Sequence, residues 1–268
     1  MRKTLCLLAV FTLLCARAGA EEAGMLRLYV CPLRRADAMV LVQGSHAALI
    51  DAGEARDAPI IAALLDSLQV TALDFVLNTH PHHDHLGGLT GVLPKCGAAC
   101  FLTGFPEDIT GRGVVQKQTM EALRDAGMPV HRVFDGDMLA LGDALITVLQ
   151  CPLGTVNDRS LVLKVEYGAC SLLLTGDISA RAQRSLAQRA DLRADVLKVP
   201  HHGVDAMNST FLTAVSPAMA VITNARRGTA KVRRQLDRKE IPFALAGEGA
   251  VCLSCDGQDW AMETLPVP

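Results

Sequence analysis

The stretch Thr79-His80-Pro81-His82-His83-Asp84-His85-Leu86-Gly87-Gly88 carries the pattern H-x-H-x-D-H followed by two glycines. Six of the eight histidines of the chain fall in this stretch or in His201-His202. Imidazole nitrogens and a carboxylate at this density suit a transition metal, zinc foremost, with manganese or iron compatible with the same donors. His80 and His82 alternate, so on extended backbone they face one side. Asp84 and His85 follow a turn and can face a second ion. Two metals about 3.5–4 Å apart can share one hydroxide and clamp both oxygens of a displacement. Gly87 and Gly88 would let the backbone pass close to such a centre. His83 points away from His82 by the same alternation and reads as a supporting or solvent-facing residue.

Two further strand ends supply matching groups. Leu172-Leu173-Leu174 runs into Thr175-Gly176-Asp177, and a carboxylate there can bridge two ions with its two oxygens. Lys198-Val199-Pro200 runs into His201-His202-Gly203. Adjacent histidines on an extended chain point apart, so one of this pair is expected as a ligand. His46 and His131 stand alone and read as surface or satisfied core residues.

The elements that must present these groups are short and apolar. Leu26 to Val30, Ala38 to Val42 and Ala47 to Ile50 read as strands, followed by the turn Asp51-Ala52-Gly53. Pro59 opens a helix to Leu65. Leu73 to Leu77 is a buried strand that delivers the histidines, and Leu86 to Leu93 a short helix. A strand over 99–102, a Gly-rich loop over 103–113 and a helix over 114–126 follow. Strands over 130–134 and 145–151, joined by a short segment at 139–141, precede a hairpin with arms 160–166 and 170–174 around Tyr167-Gly168. The remainder alternates: helix 179–189, strand 196–199, helix 209–215, strand 218–223, helix 232–239, then strands near Phe243, Val251 and Trp260. Two halves of like character predict two sheets packed face to face with helices outside.

The 268 residues are half apolar and only 4% aromatic, so aliphatic side chains must fill the core. Residues 1–20 read as a secretory signal peptide: Arg2-Lys3, an apolar run from Leu5 to Leu14, and Ala18-Gly19-Ala20 before Glu21. That run is shorter than the roughly 20 apolar residues a bilayer span needs. Cys15 hints at lipoprotein anchoring, but Leu14 stands where a small residue is preferred. One exported domain over 21–268 is the expected organisation. Removing 1–20 takes Arg2, Lys3 and Arg17 from the 26 basic residues and none of the 28 acids. The balance of 23 against 28, a net charge of −5, argues against a tight nucleic-acid binder. Seven cysteines remain, which export allows to pair while leaving at least one free. Cys252 and Cys255 form a lone C-x-x-C with no second pair to build a zinc knuckle.

These motifs, in this order, resemble the metallo-β-lactamase fold superfamily. With Asn157 to Leu163, Tyr167-Gly168, Leu173 to Asp177, Ala194 to Gly203 and Phe211-Leu212, the chain looks like the metallohydrolase domain of ComEC-type competence proteins and their free-standing relatives. The resemblance implies an α/β (α+β) fold, a four-layer αββα sandwich with two zinc ions at one edge. It implies that His80 and His82 hold the first ion, that Asp84, His85 and His201 hold the second, and that Asp177 bridges. Asp51 would support the ligand loop, and Asp84 and His202 would be catalytic, His202 orienting substrate or donating a proton. The departures from the family pattern are specific. No histidine lies between 152 and 160, so Asn157, Asp158 or water would complete the first ion's shell. Val204 replaces the usual serine, and Gly228-Thr229-Ala230 stands near the place of a Gly-His-Pro.

The implied activity is metal-dependent hydrolysis of a phosphodiester, from a small molecule or a polymer. The alternatives are hydrolysis of a lactone, thioester or β-lactam, or a degenerate metal-binding module. Arg226-Arg227 with Lys231, Arg233 and Arg234 forms the one basic cluster.

Overall fold

A computed structural model describes residues 24–106 and 113–265. The expected signal peptide, Cys15 and most of the 103–113 loop lie outside the described residues. The first half runs β1 (Leu26–Val30), β2 (Ala38–Gln43), β3 (His46–Ala52), α1 (Ala58–Ser67), β4 (Ala72–Leu73), β5 (Phe75–Asn78), α2 (His83–Leu86), α3 (Leu89–Val92), β6 (Gly97–Ala98), β7 (Phe101–Thr103), α4 (Val114–Asp125) and β8 (Val130–Arg132). The second half runs β9 (Met138–Leu141), β10 (Ala144–Gln150), β11 (Leu161–Tyr167), β12 (Cys170–Leu174), α5 (Ala180–Ala187), β13 (Val196–Lys198), α6 (Ser209–Val215), β14 (Met219–Ile222), α7 (Ala230–Asp237), β15 (Phe243–Leu245), β16 (Ala250–Cys255) and β17 (Trp260–Leu265).

Two large sheets result. One has the order β17-β16-β1-β2-β3-β5-β7-β8 and the other β15-β14-β13-β12-β11-β10-β9. Each is antiparallel where hairpins join strands and parallel where helices cross over. Both faces of the central strands are covered, which explains their unbroken apolar runs. Leu41, Ile50 and Leu77 point inward to meet Ile146, Leu163 and Leu172 of the facing sheet. Their neighbours Val40, Leu49 and Val76 point outward onto Ile61 and Leu65 of α1 and Leu123 of α4. On the other outer face Leu173, Leu197 and Ile222 meet Leu186 of α5, Phe211 of α6 and Leu236 of α7. This is the mixed α/β, four-layer αββα sandwich expected.

The parallel crossovers fix where chemistry can occur. β3, β5, β12, β13 and β14 all end at one rim, so Asp51, His80, Asp177, His202 and Thr223 emerge together. Open α/β sheets bind ligands beyond the carboxyl ends of their parallel strands for this reason.

Two expected elements are divided. The strand 73–77 breaks at Asp74, whose carboxylate accepts from the Ala47 backbone N–H at 2.9 Å and lies 3.1 Å from His46 Nδ1. The helix expected over 86–93 is two single turns, α2 and α3, with Gly87-Gly88 between them. A Cβ on Gly88 would stand 2.1 Å from the Ala52 carbonyl oxygen, so close backbone packing against β3 excludes every side chain there.

One disulfide joins the sheets: Cys170 at the start of β12 and Cys255 at the end of β16, 85 residues apart. Cys31, Cys96, Cys100, Cys151 and Cys252 are free. Cross-linking across a loop of that length restrains the unfolded chain and stabilises by about 2–4 kcal/mol. Cys170→Ala/Cys255→Ala is therefore expected to lower Tm by roughly 4–16 °C. An unchanged Tm, by calorimetry, would remove the cross-link from the stability account.

Candidate metal centre

The ligand loop is anchored before it is functional. Asp51 sits at φ 58, a left-handed conformation that Asp tolerates better than most residues. That turn aims its buried carboxylate at the next strand end. Oδ1 accepts from the Thr79 backbone N–H at 2.8 Å and from Asn78 Nδ2 at 2.9 Å. Oδ2 accepts from the Thr79 hydroxyl at 2.7 Å and from His85 Nδ1 at 2.8 Å. The last bond fixes the His85 tautomer and leaves its Nε2 lone pair facing the centre.

Asp177 is the hub. Its Oδ2 lies 3.3 Å from Nε2 of His85 and of His202, and 3.9 Å from Nε2 of His80 and of His201. Asp84 Oδ2 is 3.5 Å from His202 Nε2. Two nitrogen pairs flank the hub: His80 Nε2 and His82 Nδ1 are 3.1 Å apart, and His85 Nε2 and His202 Nε2 are 3.3 Å apart. Imidazoles about 2.0–2.1 Å from one tetrahedral zinc stand about 3.3 Å apart. Both pairs match that spacing. The buried Asp177 Oδ1 has no hydrogen-bond donor among the described residues, which leaves a second acceptor open to a cation. The donor set therefore fits metal ions.

The histidine pair after β13 corrects the expectation for His201 and His202. The chain there is not extended: His201 has φ 51 and His202 φ 50. Two successive left-handed residues swing His202 inward and His201 to the rim. His202 is fully buried and joins His85, Asp177 and Asp37, whose donor atoms all lie within 4.8 Å of one another. His201 is partly exposed and also lies 3.3 Å from Asp205 through Nδ1. Of the pair, His202 and not His201 is thus the one grouped with His85 and Asp177. His202 Nε2 faces the hub, 3.3 Å from Asp177 Oδ2. Such backbone costs on the order of 1–3 kcal/mol per residue and persists only where the surroundings enforce it. Here Pro200, the Asp37 carboxylate and a bond from Asn224 Nδ2 to the His202 carbonyl at 3.3 Å do so.

Asp158 is also corrected. Its carboxylate accepts from the Thr155 N–H at 2.9 Å, the Thr155 hydroxyl at 3.0 Å and the Ser179 hydroxyl. It closes the 155–158 turn and is not available as a third ligand. Asn157 lines the cleft beside the centre. His83 is exposed, 3.9 Å from Asp84 Oδ1, and His46, opening β3, and His131, in the edge strand β8, are exposed as well.

Sequence reasoning missed Asp37 and Lys198. Both are fully buried. Asp37 Oδ1 accepts from His202 Nδ1 at 3.1 Å, doing for His202 what Asp51 does for His85, and Oδ2 lies 3.7 Å from His85 Nδ1. Lys198 Nζ pairs with Asp37 Oδ2, donates to the Gly176 carbonyl at 3.1 Å and stands 4.0 Å from Asp177 Oδ1. A lone acid opening an apolar strand and a lone lysine inside Val196-Leu197-Lys198-Val199 were the available signals, since a buried charge requires a partner.

The electrostatics divide the centre. Burial opposes charge on every group. Against it, Asp177, Asp51 and Asp37 raise His85 well above its ordinary value. Burial is likewise outweighed at His202, where Asp177 and Asp37 push the imidazole up to about 10. Burial, reinforced by His85, lowers His80 well below its ordinary value, and His82 moves the same way. Asp37, Asp84 and Asp177 are held below the usual carboxylate range despite burial, Asp37 by Lys198 and the other two by His85 and His202. Three low carboxylates with one lysine demand further positive charge at the hub, from protons on His85 and His202 or from cations in their place.

Outside the hub a cleft of about 760 Å³ is lined by His82, Asn157, Ile178, His201 and Lys231 among others.

The sandwich, the strand-end ligands and the H-x-H-x-D-H loop together define a family: this chain belongs to the metallo-beta-lactamase superfamily, whose pattern matches residues 32–210. Its relatives support the ComEC-like branch. It is 29% identical over 171 residues to ComE operon protein 3 of Bacillus subtilis, covering 61% of this chain and 21% of that protein. It is 29% identical to competence protein ComA of Neisseria gonorrhoeae over 61% of this chain and 22% of that protein. The chain thus spans about a fifth of these relatives. A hydroxyacylglutathione hydrolase of Neisseria meningitidis is 26% identical over 79% of this chain and 77% of its own length. Among solved structures, the metallo-beta-lactamase fold protein YhfI from Bacillus subtilis superposes with a TM-score of 0.55 at 14% identity, covering 82% of this chain and 95% of YhfI.

Proposed function

We propose that the protein is an exported, dinuclear zinc phosphodiesterase. The observation that carries the reading is the convergence of four imidazole nitrogens on Asp177 Oδ2 beside an open cleft. Asp84, His85 and His202 hold one ion. His80 and His82 would hold the other, with Asp177 between the two groups of ligands. His201, whose Nε2 is as far from Asp177 Oδ2 as that of His80, closes the His80/His82 side where the family histidine is missing. When bound, such a pair supplies hydroxide near neutral pH and neutralises charge developing on the phosphoryl oxygens. The protein's own work is orientation. Asp51 and Asp37 hold His85 and His202 in the tautomer that presents Nε2 inward. Asp158 fixes the 155–158 turn so that Asn157 faces the cleft, and Val156 and Ile178 give the cleft apolar walls. The competence-protein relatives support a phosphodiester over a carbon acid derivative. Export is supported by the disulfide, a bond of oxidising compartments, and no described helix is long and apolar enough to cross a membrane. A single domain over 21–268 accords with the continuous packing of both sheets.

A thioester hydrolase is the second reading, favoured by the length of the match to the hydroxyacylglutathione hydrolase. The test is direct. Zinc-loaded protein is expected to hydrolyse bis-p-nitrophenyl phosphate, to lose that activity to a strong chelator and to regain it with zinc. Turnover of a glutathione thioester or a chromogenic cephalosporin alone moves the assignment to the second reading. Less than one ion per chain after zinc loading, with no turnover, makes the protein a degenerate metal-binding module.

A further inference from the structure

The basic cluster of the sequence separates into two groups. Arg226 is tied to Glu248 at 3.9 Å, and Arg233 Nε donates to the Thr229 hydroxyl at 3.1 Å. Lys231 and Arg234 are exposed and, with Arg238 just beyond α7, have no carboxylate partner among the described residues. Their spacing is i, i+3 and i+7, which places all three on one face of α7. Asp237 borders that face, about 60° around the helix from Arg234.

That face continues the candidate metal centre. The cleft beside the metal ligands is lined in part by Ala206 and Lys231. A second hollow of about 370 Å³ shares those two residues and is otherwise lined by Arg234, Gln235 and Arg238. The two hollows are thus neighbours, with Lys231 common to both. The acids on the cleft wall, Asp177 and Asp205, are engaged by histidines, Asp205 by His201 Nδ1. Lys231 to Arg238 spans about 10 Å, longer than the axial step of about 3.4 Å between stacked phosphates of one strand. No Phe, Tyr or Trp lines either hollow, so the stacking platforms that grip bases are missing.

We propose that Lys231, Arg234 and Arg238 form a phosphate-binding track that seats a phosphodiester polymer by its backbone charge, independent of its bases. The inference rests on the phosphodiester reading above. It also bears on the net charge of −5, which argued against nucleic acid: three cations stand together on this face, while the carboxylates of the cleft wall, Asp177 and Asp205, face histidines.

The probe is a fluorescent ten-residue oligothymidylate with phosphorothioate linkages, which resist cleavage, and its uncharged methylphosphonate analogue. Anisotropy is read with zinc-loaded protein between 50 and 200 mM salt. The charged probe is expected to bind and the neutral one to bind more than about tenfold more weakly. Lys231→Gln/Arg234→Gln/Arg238→Gln, checked for unchanged melting and zinc content, is expected to weaken the charged probe about tenfold. Its log–log salt slope should be shallower by about 2, near 0.7 per lost contact. Poly(glycerol phosphate), which has the charge and no bases, is expected to displace the probe, and its failure to do so overturns recognition by charge alone. Equal binding of the charged probe by wild type and variant, with bis-p-nitrophenyl phosphate turnover intact in wild type, overturns the track. Loss of binding in the variant, with no hydrolysis of any phosphodiester by wild type, leaves the track standing and overturns the functional reading.

Discussion

Asp37→Ala is expected to remove about 3–5 kcal/mol of unfolding free energy, read from the urea midpoint at constant m. The carboxylate is fully buried and holds three groups at once: the Lys198 ammonium, His202 Nδ1 at 3.1 Å and, at 3.7 Å, His85 Nδ1. Without it the Lys198 charge remains inside the sandwich with the Gly176 carbonyl as its near partner. The cost is that of an uncompensated buried charge, not of a lost attraction. Taking out both charges separates these ideas. Asp37→Asn/Lys198→Met keeps an acceptor for His202 and is expected to recover most of the loss. A single variant within about 1 kcal/mol of wild type would show that water reaches Lys198 and that the pair is not structurally critical.

The second large effect distinguishes the adjacent histidines. His202→Ala is expected to abolish one of the two tight zinc sites and to cut phosphodiesterase activity by more than about a hundredfold, above the 10–100-fold range seen for groups that only support a ligand. His201→Ala should keep the Asp84/His85/His202 ion and lose zinc from the His80/His82 side to a weak chelator. Metal content by mass spectrometry after dialysis reads both. The reverse pattern, with the tight ion lost from His201→Ala and kept by His202→Ala, would restore the ligand assignment that the sequence resemblance implies.

That reversal shows where the sequence was readable. The sandwich was legible because its central strands are apolar on both faces and its turns carry Gly at the ends. Tyr167-Gly168 marked a hairpin, and β1 and α6 lie within the limits read from pattern alone. The H-x-H-x-D-H loop was legible because its spacing is rare. His202 was not, because the alternation rule assumes extended backbone and nothing in Pro200-His201-His202-Gly203 announces two left-handed residues. Those conformations are imposed by Asp37, 165 positions away. A similar distance hid Asp37 itself: it stands 161 positions from Lys198, and only the packing of the two sheets turns it into the partner of that lysine. Asp158 misled in the opposite way. A carboxylate in the right interval looked like a ligand, while its local partners Thr155 and Ser179 already occupied it.

The disulfide and the ligand cluster lie at opposite ends of β12, with Cys170 opening the strand and Asp177 just beyond its close. With metal held as proposed, the two sheets would be fastened like a book with a clasp at spine and fore-edge. A reductant releases one end and a chelator the other, and neither agent touches the fastening that remains. Reduced but zinc-loaded protein should keep its rim closed while the far corner frays. Stripped but oxidised protein should keep the corner and loosen the rim. Only the two treatments together leave the sheets joined by their apolar interface alone.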